Sequence, residues 1–186
     1  IARAKMSVTF PARFMLMAAM NPCPCGYYNH PKKECHCSPA AIQKYMHKIS
    51  GPLLDRIDMH IEVVPVLYNE LRASKKEETS EIIANRVKNA REIQNHRFKN
   101  EVGTYTNAQM NSSQLKKYCT ITSEGEAILK MAMEKFQLSA RAFDRIIKVS
   151  RSIADLDNSN TIQINHISEA LQYRNLDKSN WGQYKN

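Results

Sequence analysis

Four of the five cysteines in this 186-residue chain fall into two tight pairs, Cys23-Pro24-Cys25 and Cys35-His36-Cys37. Four thiolates so arranged can enclose one tetrahedral Zn²⁺, because thiolate is a soft ligand and four of them complete a structural shell. The pairs are C-x-C rather than the commoner C-x-x-C, and His30 and His36 are near enough in sequence to replace a cysteine. The competing reading is four free thiols; a reducing compartment argues against disulfides. Structural zinc held by Cys23, Cys25, Cys35 and Cys37 is the expectation, with residues 27–31 as a hairpin-like tip. Cys119 is expected to be a buried packing residue.

Three other positions could do chemistry. Asn21 ends an apolar run, and in open α/β sheets ligands bind just beyond the carboxyl ends of strands, where an amide can orient water or touch phosphate. The plainer reading is a turn residue before Pro22. Arg56 lies between Asp55 and Asp58 in GPLLDRID; a local ion pair worth ~0–1 kcal/mol competes with an arginine that reaches a neighbouring subunit's nucleotide. Arg141, Arg145 and Lys148 recur at helical spacing as a basic face, which is ordinarily a solvated one. No G-x-x-x-x-G-K-[ST] phosphate loop occurs in the 186 residues, and no acidic run that could hold Mg²⁺ follows an apolar strand. This stretch alone is therefore not expected to hydrolyse ATP.

The elements that must position these residues follow from hydrophobic period and from caps. RFMLMAAM, residues 13–20, is a nearly continuous apolar run that predicts a strand buried on both faces. A second strand is expected over 59–64, MHIEVV. Between them Ser38 and Pro39 open a helix to about residue 49. Residues 71–79, which include SKKEE, read as a linker. Ile83, Val87, Ala90 and Ile93 form one stripe on a helix over 80–98. Asn111 with Gln114 caps a short helix ending near Cys119, and Ser123 with Glu126 opens one running to Phe136. Ser139 caps the next, with Ala142, Ile146, Val149, Ile153 and Leu156 as its apolar stripe, and Asn165 is expected to cap the last. The fold class read from this order is α/β plus all-α.

Composition sets the outer bounds. The formal net charge of +9 favours an anionic partner, a nucleotide, nucleic acid or acidic protein surface, although a solvated basic surface gives the same number. No stretch approaches the ~18–20 apolar residues that cross a bilayer. The opening IARAKMSV has no signal-peptide character, which predicts a cytoplasmic location without membrane association. The start at Ile1 rather than Met suggests an excised fragment.

Read together, FPARFMLMAAMNPCPCGYY, CHCSP, ISGPLLDRIDMHIEV, LSARAFDRIIKVSRSIADL and the QYR and W of LQYRNLDKSNW closely resemble the YifB/ComM family of magnesium-chelatase-like bacterial AAA+ ATPases. The resemblance implies that Asn21 matches the sensor-1 asparagine, Arg56 the arginine finger and Arg141 the sensor-2 arginine. It further implies that residues 1–70 are the C-terminal portion of an AAA+ core with a cysteine-rich insertion at 22–37, and that 80–186 form a helical lid. The phosphate loop and Mg²⁺-binding acids would precede Ile1. The implied activity is ATP-driven work by a homo-oligomeric ring, hexameric by expectation, with ATP and Mg²⁺ as cofactors and DNA as the remodelled partner. A protein-remodelling chelatase-type motor and a zinc-stabilised binding module are the alternatives.

Overall fold

The computed structural model describes residues 2–3, 6–10, 12, 14–63, 65–66 and 78–174. The chain divides into two compact units, residues 1–45 and 46–186. In the first, β1 (Ala2–Arg3) and β2 (Met6–Ser7) pair antiparallel, the only sheet among the described residues. Helix α1 (Pro39–Met46) closes this unit. Ser38 caps it as expected, its Oγ accepting from Ala41 N at 3.3 Å, and the helix gives way to a turn before residue 49.

The two expected strands do not form. Residues 14–20 and 59–63 run without ladder partners, and their apolar side chains are open to solvent: Met15 is 84% exposed and Val63 87%. The apolar composition is right for a doubly covered strand. A strand also needs neighbouring strands to take its N–H and C=O groups in a ladder, and no strand lies beside these segments among the described residues. Residues 13 and 64, most of the expected linker and Trp181 lie outside the described residues.

The second unit is helical because capping and periodicity agree. After α2 (Gly51–Leu54) come α3 (Ser80–Arg97), a 3₁₀ turn (Asn107–Gln109), α4 (Ser112–Tyr118), α5 (Ser123–Phe136), α6 (Ala140–Leu156) and α7 (Ile164–Gln172). Thr79, Thr122 and Ser139 each accept a backbone N–H at a helix start, and Asn111 with Gln114 completes a full capping box. Two expectations are corrected. Thr122, not Ser123, caps α5. The final helix is capped by Gln163 rather than Asn165, with buried His166 accepting the Gln163 N–H through Nδ1 and meeting Asp157 through Nε2.

Helix α6 is the hub, in contact with α3, α4, α7 and the 3₁₀ turn. Ala142 and Ile146 of the expected stripe are fully buried, but the buried face then turns towards Ser150, Arg151, Ala154 and Asp155, leaving Leu156 exposed. On α3 only the C-terminal half of the stripe packs: Ala90 is buried, whereas Ile83 and Val87 are exposed.

Beside the apolar core sits a buried charge cluster. Asp155 accepts from Arg97 Nη2 at 2.5 Å and Nη1 at 2.7 Å, from Asn107 Nδ2 at 2.7 Å and from Arg151 Nε at 3.1 Å. Arg151 satisfies its remaining donors on the carbonyls of Asn160, at 2.8 Å, and Ser159. The cluster ties α3 and the 3₁₀ turn to the C-terminal end of α6. Breaking one member of such a pair strands a buried charge, which costs about 3–5 kcal/mol. Asp155→Ala is therefore expected to lower the thermal midpoint of this chain by more than about 10 °C. Thermal unfolding followed by circular dichroism measures this; a shift of a degree or two would show the cluster to be energetically neutral.

Candidate metal centre and arginine positions

The cysteine loop is built from turns that only particular residues allow. Gly26 N donates to Cys23 O at 3.0 Å, closing a turn in which Gly26 adopts φ +82°. A Cβ there would sit 3.8 Å from Asn21 Cγ, so Asn21 lies against this turn. Further on, His30 Nδ1 accepts the backbone N–H groups of Lys32 and Lys33 at 3.1 and 3.0 Å, which fixes the tip as a turn.

These turns gather the four sulfurs. Cys23 Sγ lies 3.3 Å from Cys25 Sγ and 3.7 Å from Cys35 Sγ, Cys25 and Cys35 are 3.6 Å apart, and all four lie within 4.8 Å of one another. Tetrahedral Zn²⁺ with Zn–S bonds of ~2.3 Å requires sulfurs about 3.8 Å apart, so the set fits that ion. All four thiols are free, and neither His30 nor His36 belongs to the cluster. His30 already has one ring nitrogen committed to the tip.

Backbone donors and crowding pull the thiols in opposite directions. The N–H of Tyr27 favours the Cys25 thiolate and lowers its pKa to about 6. The N–H of Cys37 likewise favours the Cys35 thiolate, but burial and the neighbouring sulfurs of Cys25 and Cys23 outweigh it and push Cys35 up to about 12. Cys37 is raised in the same way, against the pull of the Cys25 N–H. A thiolate thus suppresses the next one, and a divalent cation reverses that relation. Cys119, in contrast, is buried in the helical core and is raised to about 11 by desolvation, in keeping with a packing role.

The remaining positions fall on exposed turns and helix starts. Asn21 is exposed. Arg56 is exposed and donates to Pro52 O at 2.6 Å, so it pairs with neither flanking aspartate. Arg141 stands at the second residue of α6, exposed and without a polar partner among the described residues. The expected basic face is not uniformly solvated: Arg145 is paired with Asp58 at 2.6 Å, and Lys148 donates to Ala108 O at 3.0 Å. Burial lowers the Lys148 pKa. Arg97, Asn107, Arg151 and Asp155 escape a reading that looks for apolar stripes. The signal that could have found two of them is an Arg–Asp pair four residues apart inside the buried arc of α6.

A helical domain following a cysteine-bearing segment defines the class, and comparison with known proteins gives the family. Residues 77–174 match the family described as magnesium chelatase, subunit ChlI C-terminal, and residues 1–71 match magnesium chelatase, subunit ChlI. The chain belongs to this magnesium chelatase ChlI family. It is 40% identical over 175 residues to competence protein ComM of Haemophilus influenzae, covering 94% of this chain and 33% of that protein. It is 36% identical over 181 residues to the uncharacterized protein YifB of Escherichia coli, covering 96% and 34%. The chain spans about a third of the length of the curated relatives it matches.

Zinc uptake should displace the protons held by Cys35 and Cys37, while Cys25 is already ionised above about pH 6. Affinity is therefore expected to climb with pH, at a slope of at least about two protons per ion near neutrality. Competition titrations with a chromophoric chelator at several pH values measure that slope. Metal analysis should find one zinc per chain, lost on Cys23→Ser; a pH-independent affinity would exclude a four-thiolate site.

Proposed function

We propose that this chain is the sensor and lid portion of an AAA+ ATPase that couples ATP hydrolysis to DNA remodelling of the branch-migration or helicase type. In this reading Asn21 places the attacking water near the γ-phosphate. Arg56 reaches as an arginine finger into a neighbouring subunit's nucleotide, and Arg141 contacts phosphate as sensor 2. Residues 80–186 are the lid, and residues 1–70 the end of the nucleotide-binding core. The protein works as a cytoplasmic homo-oligomeric ring, a hexamer, with ATP and Mg²⁺ as cofactors and zinc ordering the 22–37 loop.

The observation that carries this reading is the state of Arg141. It occupies the first turn of a 17-residue helix that contains no acidic residue there. Asp55, held by the Ser139 hydroxyl, is already at this helix end but does not pair with Arg141, so the guanidinium and the first-turn N–H groups that Ser139 leaves open both suit a further anion. Phosphate answers both needs. Arg56 supports the reading from its own side, since the carboxylates on either side leave its guanidinium to a single backbone carbonyl. Removing a trans arginine withdraws charge stabilisation from the transition state and leaves the ground-state complex largely intact.

DNA as the substrate rests on the net charge of +9 and on the relationship to a protein named for competence. Counterion release makes phosphate contacts steeply salt-dependent, whereas protein contacts need not be.

In the full-length protein, Arg56→Ala is expected to lower ATP turnover at least ~10³-fold, with nucleotide affinity unchanged. Turnover of the wild type should rise on adding DNA and lose that stimulation as salt increases from 50 to ~200 mM. Steady-state ATPase assays with a fluorescent-nucleotide titration read both. Intact turnover in an assembled Arg56→Ala ring would remove the finger role, and salt-insensitive stimulation by a protein partner would replace DNA.

A further inference from the structure

Arg56 stands in a segment that the helical unit holds from several directions. Ser139 Oγ, which caps α6, donates to Asp55 Oδ2 at 3.1 Å. Arg145 Nη1, one turn further along α6, donates to Asp58 Oδ1 at 2.6 Å. At the end of α7, Arg174 Nη1 donates to Ile57 O, and Tyr173 O accepts from His60 N at 2.6 Å. Residues 55, 57, 58 and 60 are thus all engaged by these two helices and their ends, whereas Arg56 and Met59 stay exposed, Arg56 donating only to the Pro52 carbonyl.

We propose that Asp55 and Asp58 are positioning residues that fasten Arg56 to the N-terminal turn of α6, so that Arg56 and Arg141 move as one body. The proposal rests on the roles assigned to these two arginines above and deepens them. An arginine finger attached only to a nucleotide-binding core would stay in place when a lid rotates. An arginine fastened to α6 is carried by that rotation, so the nucleotide state sensed at Arg141 sets the reach of Arg56 towards the next subunit. Ser139 serves both ends of the link, since its one hydroxyl accepts the Ala142 N–H and donates to Asp55.

Charge reversal tests the link without removing either arginine. Asp58→Arg sets two guanidiniums against each other, Arg145→Asp sets two carboxylates against each other, and the double variant restores an opposite-charge pair. The pair is partly exposed, 32% at Arg145 and 48% at Asp58, so the melting temperature should barely change. In the full-length protein each single variant is expected to lower kcat about tenfold or more with KM for ATP within about twofold, and the double variant to recover most of the loss. Backbone amide exchange at residues 57–60 should accelerate in each single variant and slow again in the double one.

Unchanged kcat and unchanged exchange in the single variants, beside an inactive Arg56→Ala, would overturn the link while leaving the finger role standing. Accelerated exchange with full turnover in Arg56→Ala would uphold the link and overturn the finger role. A double variant as impaired as the singles would also overturn the link, because charge complementarity would then not be what positions Arg56.

Discussion

Asp155 is the constraint on which the helical unit depends. A single carboxylate accepts from two arginines and an asparagine carried by α3, the 3₁₀ turn and α6 itself. Such a buried acid is costly unless its acceptor sites are filled and its charge is balanced, and here both conditions hold. Loss of one partner would leave the others unsatisfied, so the cluster behaves as one object. It fixes the direction of α6 from the C-terminal end, and that direction decides where the other end of the helix presents Ser139, Arg141 and Arg145. The apolar core supplies most of the burial, through residues such as Ile146, Ile162 and Ile167, but nonpolar contacts do not specify angle as hydrogen bonds to a buried carboxylate do.

The first unit is organised on different terms. Among its described residues only Cys23 and Ile42 are buried, far too little apolar surface to offset the conformational entropy of ordering the loop. Turns and backbone donors define its shape, with Gly26 and Asn29 at positive φ and three N–H groups directed at sulfur. A metal bound by four thiolates would supply the missing free energy and would remove the mutual repulsion that holds Cys35 and Cys37 protonated. The same four atoms would then serve folding and electrostatics together.

What was legible in the residues was whatever depends on local rules. Caps at Ser38, Asn111 and Ser139 bracket helices within a few residues of where they begin, because side-chain oxygen and backbone N–H meet over three residues of sequence. The paired cysteines announced their own gathering for the same reason. Two kinds of feature were not legible. The Arg97–Asp155 bond joins residues 58 apart in sequence, and periodicity treats both as surface residues. The apolar segments at 14–20 and 59–63 have strand composition, but pairing is a property of neighbours, and no strand partner is present among the described residues. Composition describes what a segment can satisfy; it does not supply the partner.

That distinction bears on how Arg56 should be understood. Taken in sequence, Asp55, Arg56 and Asp58 read as a self-contained ion pair, which would leave the arginine neutralised and idle. The structure assigns the carboxylates elsewhere, Asp55 to the hydroxyl of Ser139 and Asp58 to Arg145. Two acids that might have paired with Arg56 instead bond to Ser139 and Arg145, and the guanidinium stays at an exposed turn, donating to the Pro52 carbonyl. The arrangement uses electrostatics twice, once to hold a segment and once to leave a neighbouring cation available. Under the finger role proposed for Arg56, fixed backbone and a guanidinium outside any ion pair are the two properties that limit the entropic cost of reaching a phosphate and maximise the gain on arrival.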